Sequence, residues 1–117
     1  MILSEMTFSG AVPVEGYGPG FFRFGGQVFR GPVLARGETV GGWGGLDDLP
    51  ALLALAEEID VLLLGTGAEM APPPADWRRA LEEAGTGVEV MATPAACRSY
   101  NVLLTEARRV ALAALPV

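Results

Sequence analysis

The sequence predicts an α/β fold, and two observations support that prediction. Most of the 16 glycines lie before residue 46, where they separate short apolar stretches. After that residue, apolar side chains recur with the 3.6-residue period of helices, between short continuous apolar runs. Such a run is typical of a strand buried on both faces, as in a parallel sheet. We therefore expect a glycine-rich N-terminal β layer followed by a strand–helix–strand–helix unit.

The β layer is predicted from short apolar segments bounded by Gly-Gly and Gly-Pro turns. The segments are Phe21–Phe24, Gln27–Phe29, Val33–Ala35 and, as a further candidate, Val40–Trp43. Glycine-rich sequence is also typical of flexible linkers. Aromatic residues are interleaved with these glycines, which favours a folded layer.

The first helix is predicted from apolar residues that share one helical face. They are Leu49, Leu52, Leu53 and Ala56. Asp47 and Asp48 precede this segment, where a cap and the helix dipole favour carboxylates. The pattern indicates a helix that begins just after the two aspartates.

The second and third helices have apolar faces with the same spacing. The apolar residues are Trp77, Ala80, Leu81 and Ala84 in one helix, and Tyr100, Leu103, Leu104 and Ala107 in the other. In the second helix, Arg78 with Glu82 and Arg79 with Glu83 form i,i+4 pairs. Thr93 is expected to be the N-cap of the third helix.

Val61–Leu64 and Val88–Met91 are the predicted strands of this unit. They are joined through a helix, so a right-handed crossover would make them adjacent and parallel. The tail Val110–Val117 fits either a continued helix or a final strand. We favour the strand, because the helix would exceed twenty residues and Pro116 ends it.

Composition excludes several classes of function. The 117 residues predict one domain, 1–117. The net charge of −6 disfavours binding to nucleic acid and to anionic membranes. The chain has no histidine and no lysine, which excludes imidazole triads and Schiff-base chemistry. No cofactor and no metal are indicated, and we expect a protein that is not an enzyme.

The sequence also predicts a location. No secretory segment is visible, so the chain is interpreted as mature from Met1. No apolar run has the length of a membrane span. We therefore expect a cytoplasmic protein in which Cys97 stays reduced. Cys97 has apolar neighbours and no histidine to act as its base, so we expect it to be buried and inert.

A candidate binding site follows the predicted parallel strands, because ligands bind outside the carboxyl ends of strands in open α/β sheets. Its residues are Gly65, Thr66, Gly67, Thr93, Arg98 and Asn101. Peptide N–H groups and one guanidinium there would suit a carboxylate or a phosphate. Two other interpretations stay open. The glycines would allow close packing with Thr93 as a cap, and Asn101 would hold the Gly-Thr-Gly loop by hydrogen bonds.

The third helix resembles the signature of a small-domain family. The segment Met91–Leu103 reads MATPAACRSYNVL and is followed by Glu106 and by Arg108 or Arg109. It is similar to the family that contains mitochondrial NADH dehydrogenase (complex I) alpha subcomplex assembly factor 3 and an adipogenesis-associated relative.

Other segments extend the resemblance over nearly the whole chain, from about Ile2 to Pro116. Gly65–Gly67 matches a strand that ends in Gly-Thr-Gly, Tyr17–Gly20 matches a Tyr-Gly-x-Gly stretch, and Trp43 follows the glycine-rich strands. Ser99 departs from the family, which usually has threonine there.

The resemblance implies a three-layer α/β fold with a mixed central sheet flanked by helices and a final strand. It implies no established enzyme activity, and its eukaryotic members help to assemble complex I through protein contacts. The leading hypothesis is therefore a non-enzymatic binding module for protein assembly, with subunits of respiratory complex I as partners. The alternative is a protein that binds a small anion at the strand ends, and a third hypothesis is a structural homodimer.

Overall fold

The structure is a computed structural model that describes residues 5–117. In that range the chain forms nine strands: Glu5–Thr7 (β1), Val14–Gly18 (β2), Phe21–Phe24 (β3), Gln27–Arg30 (β4), Val33–Arg36 (β5), Thr39–Gly42 (β6), Val61–Thr66 (β7), Gly87–Met91 (β8) and Val110–Leu115 (β9). The α-helices are Leu49–Leu53 (α1), Ala75–Glu83 (α2) and Thr93–Thr105 (α3). Met1 and Ile2, where the chain and the family resemblance begin, lie outside the described residues.

Six strands form a mixed central sheet in the order β1-β6-β5-β9-β7-β8. β7 pairs in parallel with β8 on one side and with β9 on the other, with Val61 opposite Gly87 and Val110. β5 pairs antiparallel with β9, and β6 antiparallel with β5 and β1. The prediction that Val61–Leu64 and Val88–Met91 are adjacent parallel strands is confirmed, and the tail is a strand.

The glycine-rich region divides between two sheets. β2, β3 and β4 form a separate antiparallel sheet, whereas β5 and β6 belong to the central one. The expectation of one N-terminal β layer is corrected in this respect. β1 and β2 were not predicted, because β1 has three residues and glycines interrupt the apolar alternation of β2, whose register also shifts between Val14 and Gly16.

Helices and the small sheet cover the two faces of the central sheet, which gives the three-layer α/β fold. Successive residues of β7 point to opposite faces, as the pleat of a strand requires. Leu62 and Leu64 pack in a core with Trp43 and Trp77 on the side of α1 and α2. Leu63 packs in the other core, against α3 and the small sheet.

The first helix is shorter than predicted. α1 ends at Leu53, whose side chain is exposed, so the predicted apolar face through Ala56 is wrong beyond Leu52. The buried side chain of Ile59 joins this core from outside α1. Asp48 occupies the N-cap position of α1, but its side chain makes no capping bond; its carboxylate accepts a hydrogen bond from the backbone N–H of Gly44 at 3.2 Å.

The ion pairs on α2 agree with the prediction in part. Arg78 and Glu82 are 3.3 Å apart, as expected. Arg79 pairs with Asp76 at 2.7 Å, so its expected pairing with Glu83 is wrong. Both pairs are exposed, and such pairs stabilise a protein by little.

α3 ends earlier than its predicted apolar face. The last helical residue is Thr105, and Ala107 has a φ of 55°, in the left-handed region where helices often terminate. Ala107 is therefore exposed instead of continuing the buried face. In the described part of the chain, no helix is both long and apolar enough to cross a membrane.

Candidate functional site

The carboxyl ends of β7, β8 and β9 meet at one edge of the parallel part of the sheet, beside the first turn of α3. Four of the predicted site residues come together there: Gly65, Thr66, Gly67 and Thr93. Their positions follow from the sequence, because Gly65–Gly67 ends β7 and Thr93 follows β8 after one residue.

Thr93 joins three of these elements by hydrogen bonds. Its hydroxyl accepts from the backbone N–H of Gly67 at 2.8 Å and donates to the carbonyl of Leu115 at 2.6 Å. Its own N–H donates to the carbonyl of Gly67 at 2.8 Å. The side chain is fully buried.

The expectation that Thr93 is an N-cap is wrong. Ala92 occupies the N-cap position and Thr93 is the first helical residue. No side chain caps α3, and the hydroxyl of Thr93 bonds instead to Gly67 and to the end of β9.

Gly65 is required by close approach. A Cβ atom at this position would lie 2.8 Å from Oγ1 of Thr93, a distance that side chains essentially never show, and 3.0 Å from its Cα. Gly67 has a φ of 102°, which an L side chain rarely adopts. The geometry therefore supports the interpretation that these glycines allow the strand, the loop and the helix to pack closely.

The hydroxyl of Thr66 organises the loop after β7. It donates to the carbonyl of Glu69 at 2.8 Å and accepts from the N–H of Ala71 at 3.0 Å. The carbonyl of Met91 lies 3.4 Å from the same oxygen. The side-chain hydrogen bonds of Thr66 and Thr93 are thus made within the chain.

Asn101 lies on a different side of α3. Its Oδ1 accepts from the N–H of Val14 at 2.8 Å, and its Nδ2 donates to the carbonyl of Val14 at 2.9 Å. The expected role of Asn101 in holding the Gly-Thr-Gly loop is corrected, because its amide binds β2. β2 is an edge strand of the small sheet, and the amide takes the place of a neighbouring strand at the bulge.

Arg98 points into a groove between α3 and β8. Seven residues line it: Leu63, Glu89, Met91, Arg98, Ser99, Val102 and Leu103. Its volume is about 340 Å³. We call this feature the α3–β8 groove. Among residues 5–117, no carboxylate lies within 4.0 Å of the Arg98 guanidinium.

Arg98, Asn101 and Thr105 are spaced to share one face of α3, but their side chains do not converge. Arg98 lines the groove, Asn101 bonds to β2, and the hydroxyl of Thr105 donates to the carbonyl of Val102 within its own helix at 2.6 Å. Neighbouring positions of one helix face diverge here because different elements pack on each side of α3.

Cys97 faces the core between α3, the small sheet and the central sheet. Its side chain is buried, and burial raises the pKa of its thiol to about 11, although the positive charge of Arg98 acts in the opposite direction. The expectation that Cys97 is buried is confirmed. A thiol with such a pKa is a weak nucleophile at neutral pH.

Of the seven residues that line the groove, only Arg98 was a predicted site residue. The six that were missed are Leu63, Glu89, Met91, Ser99, Val102 and Leu103. One signal was available. Val102 is an apolar residue one helical turn after Arg98 and off the predicted apolar face, and its side chain is 55% exposed. The sequence gives no sign that β8 ends the sheet, so the groove beside it could not be placed. Within residues 5–117, no three histidine, cysteine, aspartate or glutamate side chains are grouped as a metal site.

Comparison with known proteins identifies relatives of this chain. The family model described as a protein of unknown function (DUF498/DUF598) matches residues 14–115. An uncharacterized protein of Rhodobacter capsulatus is 50% identical over 113 residues, covering 97% of this chain and 91% of its own length. NADH dehydrogenase [ubiquinone] 1 alpha subcomplex assembly factor 3 of Danio rerio is 30% identical, covering 98% of this chain and 70% of its own length.

A solved structure shares the fold. The crystal structure of a protein from Bartonella henselae, named there an outer membrane protein, aligns with a TM-score of 0.85 and 35% identity. The alignment covers 94% of this chain and 98% of the other. The three-layer architecture is therefore shared with a relative over almost the full length of both chains.

Proposed function

The chain belongs to the DUF498/DUF598 family of proteins of unknown function, and on that premise we propose that it is a non-enzymatic binding module that serves protein assembly. The partners that we propose are subunits of respiratory complex I. The cytoplasm is the proposed compartment, since the chain has a single cysteine, which is buried and reduced.

One observation carries this proposal. A protein named as a complex I assembly factor matches the chain over 98% of its length, so the likeness spans both cores and all the elements around α3. The name describes the fish protein, and its transfer to this chain is the proposal. Proteins that share a fold can differ in function, because function depends on the residues of the site. The likeness to the fish protein therefore needs a test in the cell.

The arrangement of polar groups supports binding over catalysis. At the strand ends, the hydroxyls of Thr66 and Thr93 bond to the backbone and hold the loop, α3 and β9 together. The α3–β8 groove offers apolar surface and a guanidinium instead, which are features of a docking surface.

The test is deletion of the gene in its native cell. We expect a loss of assembled complex I in native gels and of NADH:ubiquinone activity, with succinate dehydrogenase activity unchanged as the control. Wild-type protein should restore both, and tagged protein should co-purify with complex I subunits. Normal amounts of assembled complex I in the deletion strain would contradict the proposal.

The second candidate is a protein that binds a small anion at the carboxyl ends of the central strands, with Arg98 as the binding group, since Thr66, Thr93 and Asn101 bond within the chain. The observation that favours it is Arg98, a guanidinium beside the end of β8 with no carboxylate of residues 5–117 within 4.0 Å. Phosphate or acetate should then raise the melting temperature of the wild type and not of Arg98→Ala. Equal melting temperatures with and without these anions would exclude this candidate.

A structural homodimer is the third candidate. Sedimentation equilibrium of the purified protein separates it from the other two, because a stable dimer would have twice the mass of the 12.2 kDa chain.

A further inference from the structure

The outer edge of β8 is the end of the central sheet next to the groove. Gly87 donates its N–H to the carbonyl of Asp60, just before β7, so the backbone groups of Gly87 point toward β7. Backbone groups alternate in direction along a strand. Those of Glu89 and Met91 therefore also point toward β7, whereas those of Val88 and Val90 point outward.

The outward groups of Val88 and Val90 differ in their partners. The carbonyl of Val88 accepts a hydrogen bond from Nη2 of Arg78 in α2 at 2.8 Å. Such a cap protects part of a sheet edge from pairing with another chain. No residue among 5–117 bonds to the outward N–H and carbonyl of Val90. An open position therefore remains on the edge at Val90.

The α3–β8 groove lies beside this open position. Glu89 and Met91 contribute side chains from β8, and Arg98 and Val102 contribute them from α3. A strand added along β8 would turn every second side chain toward α3, as the pleat requires. The groove volume of about 340 Å³ lies at the lower end of the range of ligand sites, about 300–1,000 Å³.

We propose that the α3–β8 groove binds an extended segment of a partner protein, which adds to β8 at Val90 as a further strand. The segment places an apolar side chain against Met91 and Val102 and, two residues away, a carboxylate against Arg98. This inference rests on the proposed function as a protein-binding module, and it names the site and the chemistry of the partner segment. Backbone bonds supply affinity in this mode of recognition, and the pockets for alternate side chains supply specificity.

Charge determines the choice of occupant. Arg98 has no carboxylate of the described chain within 4.0 Å, so an acidic residue of the partner can form a charge-assisted hydrogen bond with it. A second copy of this chain is a poorer occupant. Two copies joined along β8 would bring together two whole chains of net charge −6, whereas the proposed segment needs only one carboxylate, placed against Arg98.

The test uses a phage-displayed library of random linear heptapeptides, selected on the whole protein. Peptides that bind should share a branched apolar residue and an acidic residue two positions apart. The selected peptides are then synthesised and their dissociation constants measured with four variants.

Two variants remove the proposed contacts, and each has a matched control. Val90→Pro removes the outward N–H and leaves the pairing with β7 in place, whereas Val90→Ala shortens the same side chain and keeps the N–H. Arg98→Ala removes the guanidinium at the groove, and Arg23→Ala removes one from the exposed side of β3. We expect binding at least about tenfold weaker with Val90→Pro and Arg98→Ala, and unchanged with both controls.

Three outcomes would overturn the inference. The first is that the selection enriches no peptide sequence. The second is that the selected peptides bind equally well to the wild type, to Val90→Pro and to Arg98→Ala. The third is that the wild type is a dimer and Val90→Pro dissociates it. Arg98→Ala keeps the test decisive if Val90→Pro fails to fold. The peptide assay needs no complex I subunit, so it is independent of the deletion experiment. If no peptide binds but the deletion strain lacks assembled complex I, this site is rejected and the proposed function stands.

Discussion

The two sides of α3 differ in what their polar side chains contact. On the side that faces the strand ends and the small sheet, these side chains form hydrogen bonds with other elements of the chain. On the side that faces β8, they form none with the described residues. Thr93 and Asn101 each bind backbone N–H and carbonyl groups of other elements. Arg98 and Ser99 face the groove, and no hydrogen bond joins their side chains to residues 5–117. One helix thus serves both to hold the fold together and to present a surface.

The difference separates stability from binding. A buried hydrogen bond within the chain is costly to break, because its partners are left without water. An exposed cation contributes little to stability. Substitutions on the first side of α3 should therefore lower the free energy of unfolding, and those on the groove side should alter binding alone.

The largest expected effect is that of Thr93→Val. Valine has the shape of threonine, but it leaves the N–H of Gly67 and the carbonyl of Leu115 without their partner. We expect the free energy of unfolding to fall by about 2–4 kcal/mol, measured by urea unfolding with tryptophan fluorescence. Thr105→Val is the control, since this hydroxyl is exposed and bonds within α3, and it should change stability by less than about 0.5 kcal/mol. Equal effects of the two variants would contradict the comparison.

Cys97 should make the folded state sensitive to alkali. In the folded protein the pKa of its thiol is raised by burial to about 11, compared with 9.0 for an unperturbed thiol. The unfolded chain therefore loses this proton at lower pH, and stability falls as pH rises from about 9 to about 11. We expect a loss of about 2 kcal/mol over that range, and Cys97→Ala should flatten this part of the profile. A parallel pH dependence in both proteins would disprove the assignment.

Asn101→Ala should have a smaller effect than Thr93→Val. The N–H and carbonyl of Val14 lose their partner, but β2 is an edge strand and water can replace part of the amide. We expect a loss of about 1–2 kcal/mol in the same urea experiment. Ser99→Ala, on the groove side, is the control and should unfold like the wild type. Wild-type stability of Asn101→Ala would show that its bonds to β2 contribute nothing.

Arg98→Ala should have the smallest effect on folding. With no carboxylate of the described chain within 4.0 Å, its removal should change the free energy of unfolding by less than about 0.5 kcal/mol. Binding of the selected peptides should fall as described above. A large loss of stability would place Arg98 among the residues that hold the fold and remove the contrast between the two sides of α3.

Much of the central unit could be predicted from local sequence. The continuous apolar run Val61–Leu64 and the apolar spacing around Trp77 gave a strand and a helix, because periodicity depends on backbone geometry alone. The short strands β1 and β2 were missed, because pairing with distant strands stabilises them and their own residues carry no clear pattern. Gly67 and Thr93 were placed together at the strand ends, but the two hydrogen bonds between them were not predicted.

By itself the sequence determined the α/β class, the parallel pairing of Val61–Leu64 with Val88–Met91, and the absence of imidazole and amine chemistry from the chain. Only the tertiary structure decided which side of α3 each polar residue faces, since Arg98 and Asn101 lie three residues apart and point to different elements. It also decided that β8 ends the sheet, with Val90 open beside the groove. The physical reason is that strand order depends on long-range packing and hydrogen bonding, which local periodicity does not record.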